Sequence, residues 1–206
     1  MKLDNPNIPA ELAVHTDLPD EDEYECCLFD GIDMTQERLR SREFRQCVFR
    51  RCMLQDADFS GAGLVDVVFD HCDLTGCSFD SAVTNRVRFD TCRMTGANMI
   101  KTILRSTEAA CCKADYLNLA GVKTDHVLFR ECNLQECRVE SATLKDTAFD
   151  TCNLTRATVH ATSLKGINMR TSTLDQAQFG LADLRGMIVT PWQAAELARL
   201  LGLVVK

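Results

Sequence analysis

The chain has 206 residues, 46% of them apolar and 26% charged, with a formal net charge of -7, which is enough for one or two ordinary domains. No apolar run approaches the roughly 20 residues that a membrane-spanning helix needs, and the start, with Pro6, Pro9 and several acids, lacks the basic opening and apolar centre of a secretory signal. These features exclude a membrane span and predict a soluble, cytoplasmic chain.

The acidity is local. Residues 1–25 hold eight acids against Lys2, so this stretch carries the whole net charge. Residues 1–23 are read as an acidic N-terminal capping segment.

From Tyr24 to Val189 every fifth residue is large and apolar. Of the 34 positions on this register 30 are Leu, Phe, Met, Val or Tyr, and all ten phenylalanines of the chain fall on it. The exceptions are Thr84, Ala109, Ala114 and Thr124. A helix repeats its faces every 3.6 residues and a strand every 2, so neither explains a period of five. A longer frame of twenty is superimposed on it: FDHCDLTGCSF from Phe69 returns as FDTCRMTGANM from Phe89, FRECNLQECRV from Phe129 and FDTCNLTRATV from Phe149. Two residues before each large position sits a small or β-branched one, as at Cys72, Cys77, Ala82, Val87, Cys92 and Ala97. Two inward positions per five, one large and one small, fit a face of a narrow coil. A return after twenty makes four such faces per coil and predicts vertical stacks, the main one being Phe49, Phe69, Phe89, then Phe129 and Phe149. With coils about 4.8 Å apart, the rod contacts itself only between neighbours and needs capped ends.

This pattern resembles the pentapeptide-repeat family over residues 24–189. The resemblance implies an all-β fold, a right-handed quadrilateral parallel β-helix of about eight coils. No residue is then left over for a separate catalytic domain.

Ten of the twelve cysteines occupy the small inward position, where a free thiol behaves as a compact hydrophobe. Their spacing does not match the paired C-x2-4-C of zinc sites, and reduced core thiols fit a reducing compartment. Only Cys26 and Cys111 fall off the register. His15, His71, His126 and His160 have no ligand-like spacing, and the chain shows no phosphate-cradling loop, H-E-x-x-H or nucleophile elbow. No catalytic residue, cofactor or metal is expected, and the chain is read as a non-enzyme.

The coil is neutral in sum but uneven. Arg38, Arg40, Arg42, Arg45, Arg50 and Arg51 form an early basic cluster, and Asp56, Asp58, Asp66, Asp70, Asp73 and Asp80 follow almost unopposed, with Asp90 taken beside them as a candidate acidic binding surface. The acids are either a solvated wall or a surface that imitates phosphates.

Past Val189 the beat of five stops. Thr190 reads as an N-cap, Pro191 as the first helical residue and Gln193 as the completion of a capping box; Gly202 ends the helix, and Leu203-Val204-Val205 is apolar enough for a short strand. Residues 190–206 are thus a helix-strand module whose apolar residues, Trp192, Leu197, Leu200, Leu201, Leu203 and Val205 among them, are too many for a free helix. Part must cap the last coil and part is left for a second subunit. This tail, VTPWQAAELARLLGLVV, looks like that of the Qnr and MfpA branch of the family, closest to the chromosomal Qnr-like proteins of Gram-positive bacteria. That resemblance implies a homodimer joined end to end through residues 190–206. It also implies a rod that mimics duplex DNA, binds DNA gyrase or topoisomerase IV and can protect them from quinolones, with no direct nucleic-acid contact. Two other readings stand beside it: an interaction scaffold or immunity factor for another partner, and a nucleic-acid binder using Arg38 to Arg51.

Overall fold

A computed structural model describes residues 3–204 and, for Leu201, the backbone alone. In chain order the strands are β1 (Ala13–His15), β2 (Glu23–Glu25), β3 (Cys27–Asp30), β4 (Glu43–Arg45), β5 (Val48–Arg50), β6 (Gly63–Asp70), β7 (Val83–Asp90), β8 (Ile103–Ala110), β9 (Lys123–Arg130), β10 (Arg138–Glu140), β11 (Thr143–Asp150), β12 (Thr158–His160) and β13 (Gln178–Phe179), followed by the helix α1 (Pro191–Ala198). All pairings are parallel and nearly all join residues twenty apart, as Phe49 to Phe69 and Phe69 to Phe89. The fold is a parallel β-solenoid of about eight turns.

Its four sides follow from the beat of five. The first face is centred on Phe44, Leu64 and Thr84, and the second on Phe49, Phe69 and Phe89; both are true strands. The third, centred on Leu54 and Leu74, and the fourth, on Phe59 and Phe79, are joined between the upper coils by bridges such as Asp73 to Arg93 and Asp58 to Ser78, and lower down the fourth becomes a ladder of β10, β12 and β13. On these two faces the chain turns through Ala57 N–H to Leu54 O at 3.1 Å and Ala62 N–H to Phe59 O at 3.0 Å. The residue inside each turn has positive φ, 56° at Asp56 and 70° at Gly61, which is the type II geometry that glycine enters without penalty. Side-chain-bearing residues take the same corner at Asp56 and Tyr116, each at a cost of about 1 kcal/mol that the hydrogen bonds to the next coil offset.

The large residues stack inside. Phe49, Phe69 and Phe89 lie face to face with centroids 4.8 and 5.0 Å apart, Phe129 and Phe149 stack at 5.1 Å, and Phe59 and Phe79 meet the Phe69 ring edge-on. All five members of the main stack are buried. The small position holds a ladder of thiols: Cys72, Cys92, Cys112, Cys132 and Cys152 each donate to the carbonyl twenty-three residues earlier at 3.3–3.5 Å, and Ser172 continues the series to Phe149 O. All twelve cysteines are free. Burial pushes the Cys47 thiol up to about 12, so it stays protonated.

The four irregular register positions behave differently. Thr84 meets Thr107 at 2.8 Å and Thr124 meets Thr147 at 2.6 Å, hydroxyl to hydroxyl, so these buried groups are satisfied. At Ala109 and Ala114 an enclosed cavity of about 10 Å³ remains, lined by Phe89, Met99, Leu104, Leu117 and Phe129. Leu117 is buried against it, whereas Tyr116 stands 57% exposed and fills nothing.

Both ends are partly covered. β1 adds a partial rung over β3, pairing Ala13 with Cys27. Before it, residues 3–12 run as an arm along the edge between the first and second faces. Ala13 N–H reaches Cys26 O, Gln46 Nε2 donates to Asn7 O at 3.0 Å, and Asn7 N–H donates to Asp66 Oδ1 at 2.8 Å. At the other end the Thr190 hydroxyl accepts from Gln193 N–H and Gln193 returns its side chain to Thr190 N–H, a complete capping box. Gln193 Nε2 also donates to Met169 O and Ser172 O, both at 2.8 Å, tying α1 to the last coils, and Leu197 packs on the core. The strand expected over Leu203-Val204-Val205 does not form at Leu203 and Val204, which have no neighbouring edge to pair with in a single chain. Val205 lies outside the described residues.

Candidate interaction surfaces

The seven acids do not converge. Asp56 sits at a corner after the third face, Asp58 and Asp80 on the fourth, Asp66 at the corner after the first, Asp70 and Asp90 on the second and Asp73 on the third. They are also not unopposed. Arg40 lies 2.7 Å from Asp58, Arg86 holds Asp66 through two bonds of 2.6 Å, Arg50 lies 3.6 Å from Asp70 and Arg88 lies 2.7 Å from Asp90. For Asp58, Asp66 and Asp70 the cause is geometric: in a solenoid the lateral neighbour is about a whole coil away in sequence, so charges that look isolated along the chain meet across rungs, whereas Arg88 reaches Asp90 along its own strand.

Asp66 is 6% exposed. Burial opposes its ionisation, but the bonds from Arg86 and Asn7 outweigh burial and hold the carboxyl below the usual carboxylate range. It is an anchor for the arm and is closed to a partner. Asp73 turns inward on its own loop, accepting from Thr75 and Gln55. The early basic cluster is similarly occupied: Arg42 contacts Asp20 and the Tyr24 hydroxyl, Arg45 pairs with Glu43 and Arg51 with Asp30.

One cluster escaped the linear reading. Asp125, His126 and Asp146 bring ligand atoms within 4.8 Å of one another, with His126 Nδ1 2.7 Å from Asp125 and Lys145 Nζ 2.9 Å from the same carboxyl. A twenty-residue offset between His126 and Asp146 would have disclosed it. The ammonium already neutralises one member, and this half-exposed trio is a surface ion network. Among the off-register thiols Cys111 is exposed and Cys26 half-buried.

At the tail Trp192 is 77% exposed and does not cap the last coil; Leu200 and Leu203 are exposed as well. Between α1 and the last coil runs a groove of about 650 Å³ lined by Leu174, Ala177, Trp192, Leu197 and Leu200. The side chain of Leu201 and the whole of Val205 lie outside the described residues. Among the described residues no helix is long and apolar enough to cross a membrane.

Residues 62–139 match the family model for a pentapeptide repeat region, and residues 38–70 and 152–186 match pentapeptide repeats. Among solved structures the chain is similar to HetL, a pentapeptide repeat protein involved in heterocyst differentiation regulation from the cyanobacterium Nostoc, at 17% identity over 87% of each chain with a TM-score of 0.59. It is also similar to trypsin-treated QnrB1, a plasmid-mediated fluoroquinolone resistance protein, at 20% identity over 96% of this chain and 98% of that one, with a TM-score of 0.44. No curated protein matches.

Proposed function

The chain belongs to the pentapeptide-repeat family, and from that premise we propose that it is a non-catalytic rod that acts by binding a protein partner along its walls, the partner being a type II topoisomerase. The observation that carries this reading is the uninterrupted four-sided rod ending in α1. That helix is fastened to the last coils by Gln193 and leaves Trp192, Leu200 and Leu203 in solvent. The tail's sequence resembles the Qnr and MfpA branch, whose members bind DNA gyrase or topoisomerase IV as end-to-end homodimers. In such a dimer the exposed apolar residues of two tails cover each other, and the rod doubles in length.

The pairing of Asp58, Asp66, Asp70 and Asp90 with arginines favours a second reading, a scaffold or immunity factor for a different partner. A continuous phosphate-like wall would leave its acids free.

A supercoiling assay separates the two. Purified protein at micromolar concentration should alter gyrase supercoiling and shift the effect of a fluoroquinolone, and Trp192→Asp should abolish both while leaving the fold intact by circular dichroism. No effect on gyrase or topoisomerase IV, with a pulldown that recovers another protein, would establish the scaffold instead.

A further inference from the structure

The first face carries an ordered gradient that none of the readings above uses. Its two outward columns run Glu23, Glu43, Gly63, Val83, Ile103, Lys123, Thr143 and Glu25, Arg45, Val65, Asn85, Arg105, Asp125, Lys145, each residue paired to the next one coil down. The upper rungs are mostly acidic, with Glu23, Glu25 and Glu43 against Arg45; the middle is mostly uncharged, with Arg105 its one charge; and the lower rungs are mostly basic, with Lys123 and Lys145 against Asp125. Such a wall is complementary to itself turned end for end.

The geometry points to the first face as a self-association surface, its occupant a second copy of this chain lying antiparallel. Take a two-fold axis in the plane of the interface, along the strand direction, through the rung of Val83. That operation keeps each column opposite itself and reverses the order of rungs, which is the isologous arrangement of a closed dimer. Val83 then meets Val83. Gly63 presents a notch to Ile103 of the other copy, Glu43 meets Lys123, Arg45 meets Asp125 and Glu25 meets Lys145. These three pairs bring opposite charges together, while Glu23 faces Thr143 and Arg105 faces Val65, and the one exposed valine of the wall, Val83 at 38%, lies at the centre. Moving the axis one rung down would set Arg105 against Arg105; the charges choose the register.

In the single rod Glu43 folds its carboxylate over the Gly63 notch and pairs with Arg45 at 3.7 Å, while Lys145 pairs with Asp125. Docking joins these two local pairs into one alternating network and draws Glu43 off the notch toward Lys123. The wall is a narrow strip of seven rungs, about 29 Å from first to last at the usual spacing. That is smaller than a permanent interface, so the association is weak and salt-sensitive.

The test uses the full chain. In sedimentation velocity the association should weaken at least about tenfold between roughly 0.1 and 1 M salt, over which the screening length falls from about 10 to about 3 Å. Lys123→Glu alone and Glu43→Lys alone should each weaken it similarly. A mixture of the two variants should recover it, because the heterodimer restores both opposed pairs. Val83→Cys, on the axis, should give an oxidant-induced cross-linked dimer well above the wild-type background from Cys111. A mixture that associates no better than its components, or Val83→Cys that cross-links no more than wild type, overturns the proposal. A dimer that ignores salt and Lys123→Glu but is lost in Trp192→Asp belongs to the tail and also overturns it, leaving the reading of the tail intact.

Discussion

At the scale of single residues the decisive group is Asp66, because one carboxylate fastens the N-terminal arm to a coil two turns down the rod. Its Arg86 partner is about a third exposed, so removing the carboxylate costs less than the roughly 3–5 kcal/mol of breaking a fully buried pair. Asp66→Ala should lower the unfolding free energy by about 2 kcal/mol and raise hydrogen exchange through residues 4–12. The pH dependence has a definite sign. The folded carboxyl titrates below its unfolded value of about 3.9, so its contribution is complete above that value and disappears as pH falls through the lower folded one. Arm release on acidification, followed by exchange or by limited proteolysis, should be seen in wild type and be missing in Asp66→Ala. None of this was legible in the chain. Asp66 looked like one of seven surface acids, because nothing in the local sequence signals Asn7, 59 residues away, or an arginine one coil on. By contrast, the inward positions were readable one by one, since the interior repeats and tolerates only two residue sizes. The gap at Ala109 and Ala114 was readable too, and the register separates its neighbours: Leu117 stands two before Leu119, at an inward position, whereas Tyr116 stands at a corner.

Among the elements, α1 shows how a helix of eight residues with no buried side chain stays in place. Its capping box and Pro191 were evident from the sequence, since such signals are local. The attachment was not, because it runs from the cap itself: Gln193 closes the box and donates to Met169 O and Ser172 O. Gln193→Ala should leave two carbonyls without their donor and cost about 1–3 kcal/mol, read as faster exchange over residues 191–198 with the coil unchanged by circular dichroism. Thr190→Ala, which removes only the cap, should cost about 1 kcal/mol. The expected strand after the helix failed for an equally physical reason: strand propensity at Leu203 and Val204 has no effect without an edge to pair with.

For the whole molecule the linear arrangement sets how damage spreads, since each coil touches only its neighbours. Phe69 lies between two stacked rings and two edge-on ones, so Phe69→Ala should cost about 3–5 kcal/mol and uncouple the two halves, broadening the denaturant transition. Phe179→Ala, at the last rung and already 8% exposed, should only fray the end and leave the midpoint of the main transition nearly unmoved. The fold at this scale was legible because a period of five inside a period of twenty admits few geometries, whereas the charge map was not, because it exists only once rungs are laid side by side. One end of the rod deserves a last deduction. Among the described residues β1 roofs only the second face and β2 is paired with β4 on one side alone, so there the upper rim of the first face offers unclaimed amide and carbonyl groups to any passing strand. Asp20, Glu21, Asp22, Glu23 and Glu25 crowd that rim. Their mutual repulsion against an identical rim is a barrier to runaway polymerisation, so the acidic capping segment also keeps copies of the rod from growing into fibres.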